Sequence, residues 1–227
     1  GLNILLLFFI ITFNYEQFVE LPKATANQLA EETHERVGAV IGSIVMAIVV
    51  IMFYFKGSFN FDKKAKFLKI LAQIWVFLNA ILVISAMLKN TEYVYYLGLT
   101  YKRLGVYAFL SLAIIGLIFT FIKVSKQKTN AYLFNQMFWY VYGTILVCSF
   151  INWGGIITSH NLKREDFAAN YHFNSVDFND KQLLEYYQKT NNKEMYKILK
   201  DKIIARQNES FLSKVLYDES ISFNESK

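Results

Sequence analysis

The residues of this chain with the greatest capacity for chemistry form one hexapeptide, Glu31-Glu32-Thr33-His34-Glu35-Arg36, directly before an apolar block that opens at Val37. At helical spacing Glu31, His34 and Glu35 share a face, and Glu32 lies one turn from Arg36. Carboxylates beside an imidazole can hold a metal or move a proton. A zinc-protease helix carries a second His four residues after the first, and here that position is Gly38. The plainer reading is an ion-paired, amphipathic lead-in to the apolar block. A second charged cluster occupies residues 93–107, Y-V-Y-Y-L-G-L-T-Y-K-R-L-G-V-Y, where five tyrosines surround Lys102 and Arg103. Such a belt suits a membrane edge: the rings lie half buried, the hydroxyls stay wet and the cations reach lipid phosphate. Pairing of Lys102 and Arg103 with Glu31, Glu32 or Glu35 would organise a helix bundle and catalyse nothing.

The elements that carry these clusters are apolar blocks at 37–55, 70–88, 105–122 and 131–157. None contains Asp, Glu, Lys or Arg. A helix rises about 1.5 Å per residue, so roughly 20 apolar residues match the ~30 Å hydrocarbon layer. A soluble helical protein would show polar faces at the 3.6-residue period, whereas residues 44–53 are apolar all round. The fold expected is all-α: a polytopic transmembrane helix bundle over 1–158, with full spans at 37–55, 70–88, 105–122 and 131–152, and a soluble helical tail over 159–227. Residues 2–13 are apolar but too short to span, and are expected to be the end of a truncated helix. No basic start or small-residue cleavage site marks them as a signal peptide.

The net charge of +6 does not point to nucleic acid. From residue 160 onward eleven basic side chains face eleven acidic ones, so the excess lies among the apolar blocks, at their ends. Five lysines between 56 and 69, and Lys123, Lys126 and Lys128, place those loops in the cytoplasm. The tail from His160 is then periplasmic. Cys148 is the single cysteine, inside an apolar block, so neither a disulfide framework nor a cysteine metal site is expected.

Within the blocks, Gly38 and Gly42 form a G-x-x-x-G pair flanked by Ala39, Ser43 and Ala47, a pattern that lets a neighbouring helix approach closely. Internal packing is expected there, with a dimer face as the alternative. Gly116 and Gly143 invite the same reading. Gln73, Asn79 and Asn152, with Asn135 and Gln136, are amides that need a partner across the bundle or water. A transport pathway more often shows ionised groups at mid-depth or helices broken by Gly and Pro. In the tail, 180–188 and 193–206 carry apolar residues at helical intervals, and Asn191 with Glu194 has capping-box spacing. A third short helix is expected over 209–217. Gly154-Gly155 reads only as a helix-end signal. No phosphate loop, catalytic triad order or cofactor fingerprint is present, so no catalytic, cofactor or metal residue is assigned.

Several of these runs carry a family resemblance. E-E-T-H-E-R-V before a span, Trp75 with Asn79, G-L-T-Y-K-R-L-G-V-Y and N-W-G-G-I-I-T-S-H-N-L resemble a bacterial family catalogued as domain of unknown function 4173. The resemblance runs from about Glu31 to Leu199. Val176-Asp177-Phe178 and Leu183-Leu184 are similar to the family's short helical segment after the last span, and the Asn-, Lys-, Ile- and Phe-rich composition resembles its Bacteroidota branch. The resemblance implies a multi-span inner-membrane protein, usually longer at its N-terminus, and it supplies no catalytic residues. The function expected is a structural, regulatory or assembly-partner membrane component that contacts the lipid bilayer and offers its C-terminal helices to protein partners. A transporter or channel subunit is the first alternative, and a metal-dependent membrane enzyme using Glu31, His34 and Glu35 the second.

Overall fold

The computed structural model describes the backbone of residues 1–19, 26–209 and 215–223, and their side chains except those of 17–19, 26–36, 58–59 and 63. Every regular element among the described residues is helical, so the fold is all-α. Two compact units are formed, one of Gly1–Leu97 with Lys102–Phe150, the other of Gly98–Tyr101 with Ile151–Lys227.

The first unit holds α1 (Leu2–Val19), α2 (Ala26–Tyr54), the short α3 (Ser58–Phe61), α4 (Lys66–Leu97), α5 (Tyr101–Ser125, from Lys102 on) and α6 (Asn130–Ser149). Among the described residues, three segments are long and apolar enough to cross a membrane, Val37–Tyr54, Lys66–Leu97 and Tyr101–Ser125, and a fourth arises if α6 and the following helix count as one broken span. The fourth span expected over 131–152 is therefore interrupted. Its helix stops at Ser149 and a new one starts at Trp153, because Asn152 turns its side-chain oxygen to the Gly155 N–H at 2.9 Å and begins a helix of its own.

α4 is the organising element, packed on both α1 and α2. Its buried positions Ala72, Val76, Asn79, Val83, Ala86, Asn90 and Tyr93 alternate steps of four and three, the seam of a helix that lies along its neighbours. α2 answers with Val37, Val40, Ile44, Ala47 and Ile51. Side-chain knobs, not glycines, make this contact. Nothing lies within 4 Å of where a Cβ on Gly38 or Gly42 would stand, and both glycines are exposed, so the G-x-x-x-G face meets no described helix. Gly116 does receive neighbours, the Met137 thioether at 3.6 Å and Ile48 at 3.8 Å.

The helices outrun their apolar blocks. α1 continues past Phe13 because Thr12 and Asn14 donate back to the Phe8, Phe9 and Ile10 carbonyls and so do not compete with the helix. α4 has 32 residues where 70–88 was expected, and it takes Tyr93, Tyr95 and Tyr96 into its last turns. Lys123, expected in a loop, is instead fully buried in the last turn of α5, where its Nζ donates to the Phe55 carbonyl at 3.3 Å. Asn130 donates to the Met52 carbonyl at 3.2 Å, so two donors serve the carbonyls that the end of α2 leaves open.

The second unit contains α7 (Trp153–Asn161), α8 (Ala169–Ser175), α9 (Asp180–Lys189), α10 (Lys193–Gln207) and α11 (Leu216–Glu219). Leu183, Leu184 and Tyr187 of α9 meet Leu199 and Ile203 of α10 and Ile221 in a core of their own. The α9–α10 turn places Asn191 at φ 54°, and the cap is Asn192, whose side chain accepts from the Met195 N–H at 3.1 Å. The helix thus starts one residue later than the spacing of Asn191 and Glu194 suggested, and with Met195 at the third helical position the cap is Asn192 alone and not a reciprocal capping box. Arg206 of α10 bridges Asp180 at 2.7 Å and Asp218 at 2.9 Å, and Gln207 donates to the Asp218 and Ile221 carbonyls. Tyr217 beside them has its hydroxyl pushed up to about 12 by burial. Of the third tail helix expected over 209–217, the described residues show α11, Leu216–Glu219, and residues 210–214 lie outside them.

Candidate functional site

Of the residues singled out by sequence, 31–36 have a helical backbone within α2. The side chains of Glu31, Glu32, His34, Glu35 and Arg36 lie outside the described residues. Lys102 is exposed. Arg103 is held inside the unit: its guanidinium stacks 4.0 Å over the Tyr93 ring and donates to the Leu97 carbonyl at 2.9 Å, closing the end of α4. Asn90 donates to the Arg103 carbonyl at 3.2 Å and Tyr107 to the Thr91 hydroxyl at 2.8 Å. The tyrosine-rich stretch is therefore partly a helix-to-helix clasp, with Tyr95 and Tyr96 left exposed.

Polar groups of the spanning helices turn to their own helix. Asn79, fully buried, donates to the Trp75 carbonyl at 2.8 Å, Ser85 to Ile81 at 3.1 Å and Thr120 to Gly116 at 2.7 Å. The Asn79 oxygen is buried with no hydrogen-bond partner among the described residues. Gln73 is half-buried. Asn152 lies in the second unit, where it caps α7 and donates to the Phe178 carbonyl at 2.8 Å. The structure brings none of these three amides into one site.

What it does assemble is a polar centre around His172 in α8. This ring is 2% exposed. Its Nδ1 lies 2.9 Å from the Thr158 hydroxyl and its Nε2 3.2 Å from the Asn161 amide nitrogen. The orientation of Asn161 is set by backbone, since its oxygen accepts from the Leu99 N–H at 2.7 Å and its nitrogen donates to the Leu99 carbonyl at 2.8 Å. Facing an amide donor, Nε2 must accept, so the proton sits on Nδ1 and is donated to Thr158. Asn179 donates both to that hydroxyl and to the His172 carbonyl, each at 2.9 Å. Phe167 covers the ring at a centroid distance of 4.7 Å.

The network is held tight at two glycines. Gly98 adopts φ +81°, and a Cβ there would stand 2.9 Å from the Asn161 oxygen. Gly154, in the first turn of α7, lies against the Asp177 carbonyl, with the Tyr101 hydroxyl 2.9 Å from where its Cβ would be. Val176-Asp177-Phe178, expected to belong to a helical segment, is the non-helical turn between α8 and α9, with Phe178 at φ 56°. Three successive residues of that turn are tied to α7: Asp177 packs on Gly154, Phe178 accepts from Asn152, and Asn179 donates to Thr158.

His172, Thr158, Asn161 and Asn179 were not among the candidates read from sequence. Part of their signal lay in N-W-G-G-I-I-T-S-H-N-L, which sets Thr158 and Asn161 three residues apart on one face of α7, and it is faint without the partner residues 99, 172 and 179.

Burial holds the His172 imidazole below its ordinary value of 6.5. The unfolded chain takes up a proton near 6.5 and the folded one resists it. The contribution of this site is therefore complete above that pH and is lost as pH falls below it. The unfolding midpoint of the second unit should fall from about pH 7 to pH 5 more steeply in the wild type than in His172→Gln. Equal slopes, measured by thermal unfolding in detergent, would refute the assignment.

Next to this centre a groove of about 470 Å³ is lined by Asn152, Gly155, Ser159, His160, Lys163 and Gln182. His160 connects the two, with Nδ1 3.2 Å from the Asn161 oxygen. No group of three or more His, Cys, Asp or Glu able to hold a metal occurs among the described residues.

A family model described as Domain of unknown function (DUF4153) matches residues 1–183. That match takes in the first unit entire, α7, α8 and the opening of α9. It supports a family of unknown function, and does not support the number 4173 or a Bacteroidota origin. No curated protein and no solved structure matches the chain.

Proposed function

The chain belongs to the DUF4153 family, and from that premise we propose that it is a structural or assembly-partner component of a bacterial inner membrane, making protein contacts through α6. The observation that carries this reading is the surface of α6. Of its 20 residues only Leu133 is buried. Asn135, Trp139, Tyr140 and Tyr142 are all exposed. An amide and amphipathic rings gain less from acyl chains than from a protein surface, where their polar atoms find partners and their rings supply most of the binding energy. The polar groups of α4 and α5 that bond their own helices favour packing over passage. The lysines at 56–69 and 126–128 support a cytoplasmic location for those loops. The C-terminal helices offer a second surface through Ile198 and Ile204.

In-membrane photo-crosslinking tests the reading. A probe at Phe138 or Ile145 should give discrete protein adducts, whereas one at the equally exposed Phe77 of α4 should give lipid adducts only. Lipid adducts alone from α6 would overturn it.

A further inference from the structure

We propose that the second unit seats on the bilayer surface through an apolar tip formed by Phe178 and Leu216. Leu216 is 85% exposed, more than any other large apolar side chain described in this unit, and Phe178 and Val215 are exposed as well. The tip is firmly held from behind. Phe178 meets the Tyr217 ring edge-on at a centroid distance of 5.3 Å, and the Tyr217 hydroxyl accepts from the Lys181 N–H at 3.5 Å, so both residues belong to one end of the unit. On the inner side of α11, Asp218 is buried against Arg206, Gln207 donates to the Asp218 and Ile221 carbonyls, and Ile221 enters the core. Helical residues two apart point about 200° from each other, so seating Asp218 turns Leu216 outward. Buried ionic contacts thus hold an apolar side chain in the open.

Position and size choose lipid as the occupant. The Phe178 carbonyl accepts from the Asn152 side chain at 2.8 Å, and Asn152 follows the last residue of α6 by three, a reach of roughly 11 Å at most. With α6 in the membrane, the premise this shares with the function proposed above, Phe178 stands close to the headgroups. A stable protein interface takes roughly 20–30 residues a side, whereas this tip offers Phe178, Val215 and Leu216. A few apolar side chains are enough for an interfacial anchor, which sinks about 5–10 Å into the headgroup boundary. Tyr217 adds an amphipathic ring of the kind favoured at that depth, and the exposed Lys181 can extend to lipid phosphate. Asp177 and Glu219 are also exposed and oppose deeper entry, because a carboxylate among acyl chains is costly.

The test uses the full chain in nanodiscs of phosphatidylcholine and phosphatidylglycerol, on a Cys148→Ala background, with a spin label at Leu216→Cys or Phe178→Cys. Power saturation reads each label's access to oxygen, which concentrates among acyl chains, and to a water-soluble nickel chelate. Both labels should be several-fold less open to nickel, and more open to oxygen, than a label at Lys189→Cys, exposed on the last turn of α9. Adding Leu216→Glu should return the label at 178 to water while leaving the unfolding midpoint in detergent unchanged, since so exposed a side chain contributes little packing. Nickel access at 216 and 178 equal to that at 189 would overturn the proposal. So would low access to both reagents, the mark of a protein partner or a second copy on the tip. A label at Ile145→Cys separates the failures: nickel access there would remove α6 from the membrane and overturn the proposal at its premise.

Discussion

Gly154→Ala should destabilise the second unit by about 3 kcal/mol or more, at the upper end of what a single added methyl does. The new carbon would fall on the Asp177 carbonyl, which is backbone and cannot swing aside as a side chain does. Relief would require the turn at 176–179 to move away from α7. That turn is tied through Asn152 to the Phe178 carbonyl and through Asn179 to Thr158 and His172, so moving it strips several hydrogen bonds together. Gly143→Ala is the matched control. Nothing lies within 4 Å of its Cβ position, and in a helix interior alanine is favoured over glycine by roughly 0.5–1 kcal/mol. Thermal unfolding in detergent, or limited proteolysis within 151–223, compares them. A Gly154→Ala protein as stable as wild type would show that Asp177 does not pack on α7 in this way.

Asn161→Ala should be comparably severe, about 3 kcal/mol, since it leaves the Leu99 N–H, the Leu99 carbonyl and His172 Nε2 without their partner in a buried place. Asn161→Asp separates chemistry from packing. The carboxylate can still accept from the Leu99 N–H, but it replaces the amide donor with an acceptor opposite His172 Nε2. A proton on that nitrogen is then favoured where before it was excluded. The pKa of His172 should rise relative to wild type, and acidification toward pH 6 should stabilise Asn161→Asp relative to Asn161→Ala. A histidine NMR titration measures this directly. An unchanged His172 titration in Asn161→Asp would mean that the two side chains are not hydrogen-bonded.

The helical character of the chain was legible because length and continuous apolarity are local properties. The seam of α4 was not, because in a block that is apolar all round the sequence does not say which stripe touches protein. That is why Gly38 and Gly42 attracted a packing role that belongs to Val40, Ile44 and Ile51. Lys123 misled for a related reason. A lysine at the end of an apolar run signals a loop by charge, but an ammonium also suits the open carbonyls of another helix's last turn, and only the fold shows which carbonyls lie within reach. The His172 centre was least visible. Its members are spread across residues 99, 158, 161, 172 and 179, each with a bland local explanation, and what joins them is hydrogen-bond geometry.

The bond pair between Leu99 and Asn161 spans 62 residues of chain, with α5 and α6 between its ends. At a ribosomal rate of roughly 5–20 residues per second, the Leu99 backbone must wait about 3–12 seconds after its own synthesis before Asn161 exists. The second unit is consequently no transplantable cassette. Residues 151–227 produced alone would carry Asn161 with its amide facing water where Leu99 belongs, and a fusion cut at that point should be proteolysed faster than the intact chain.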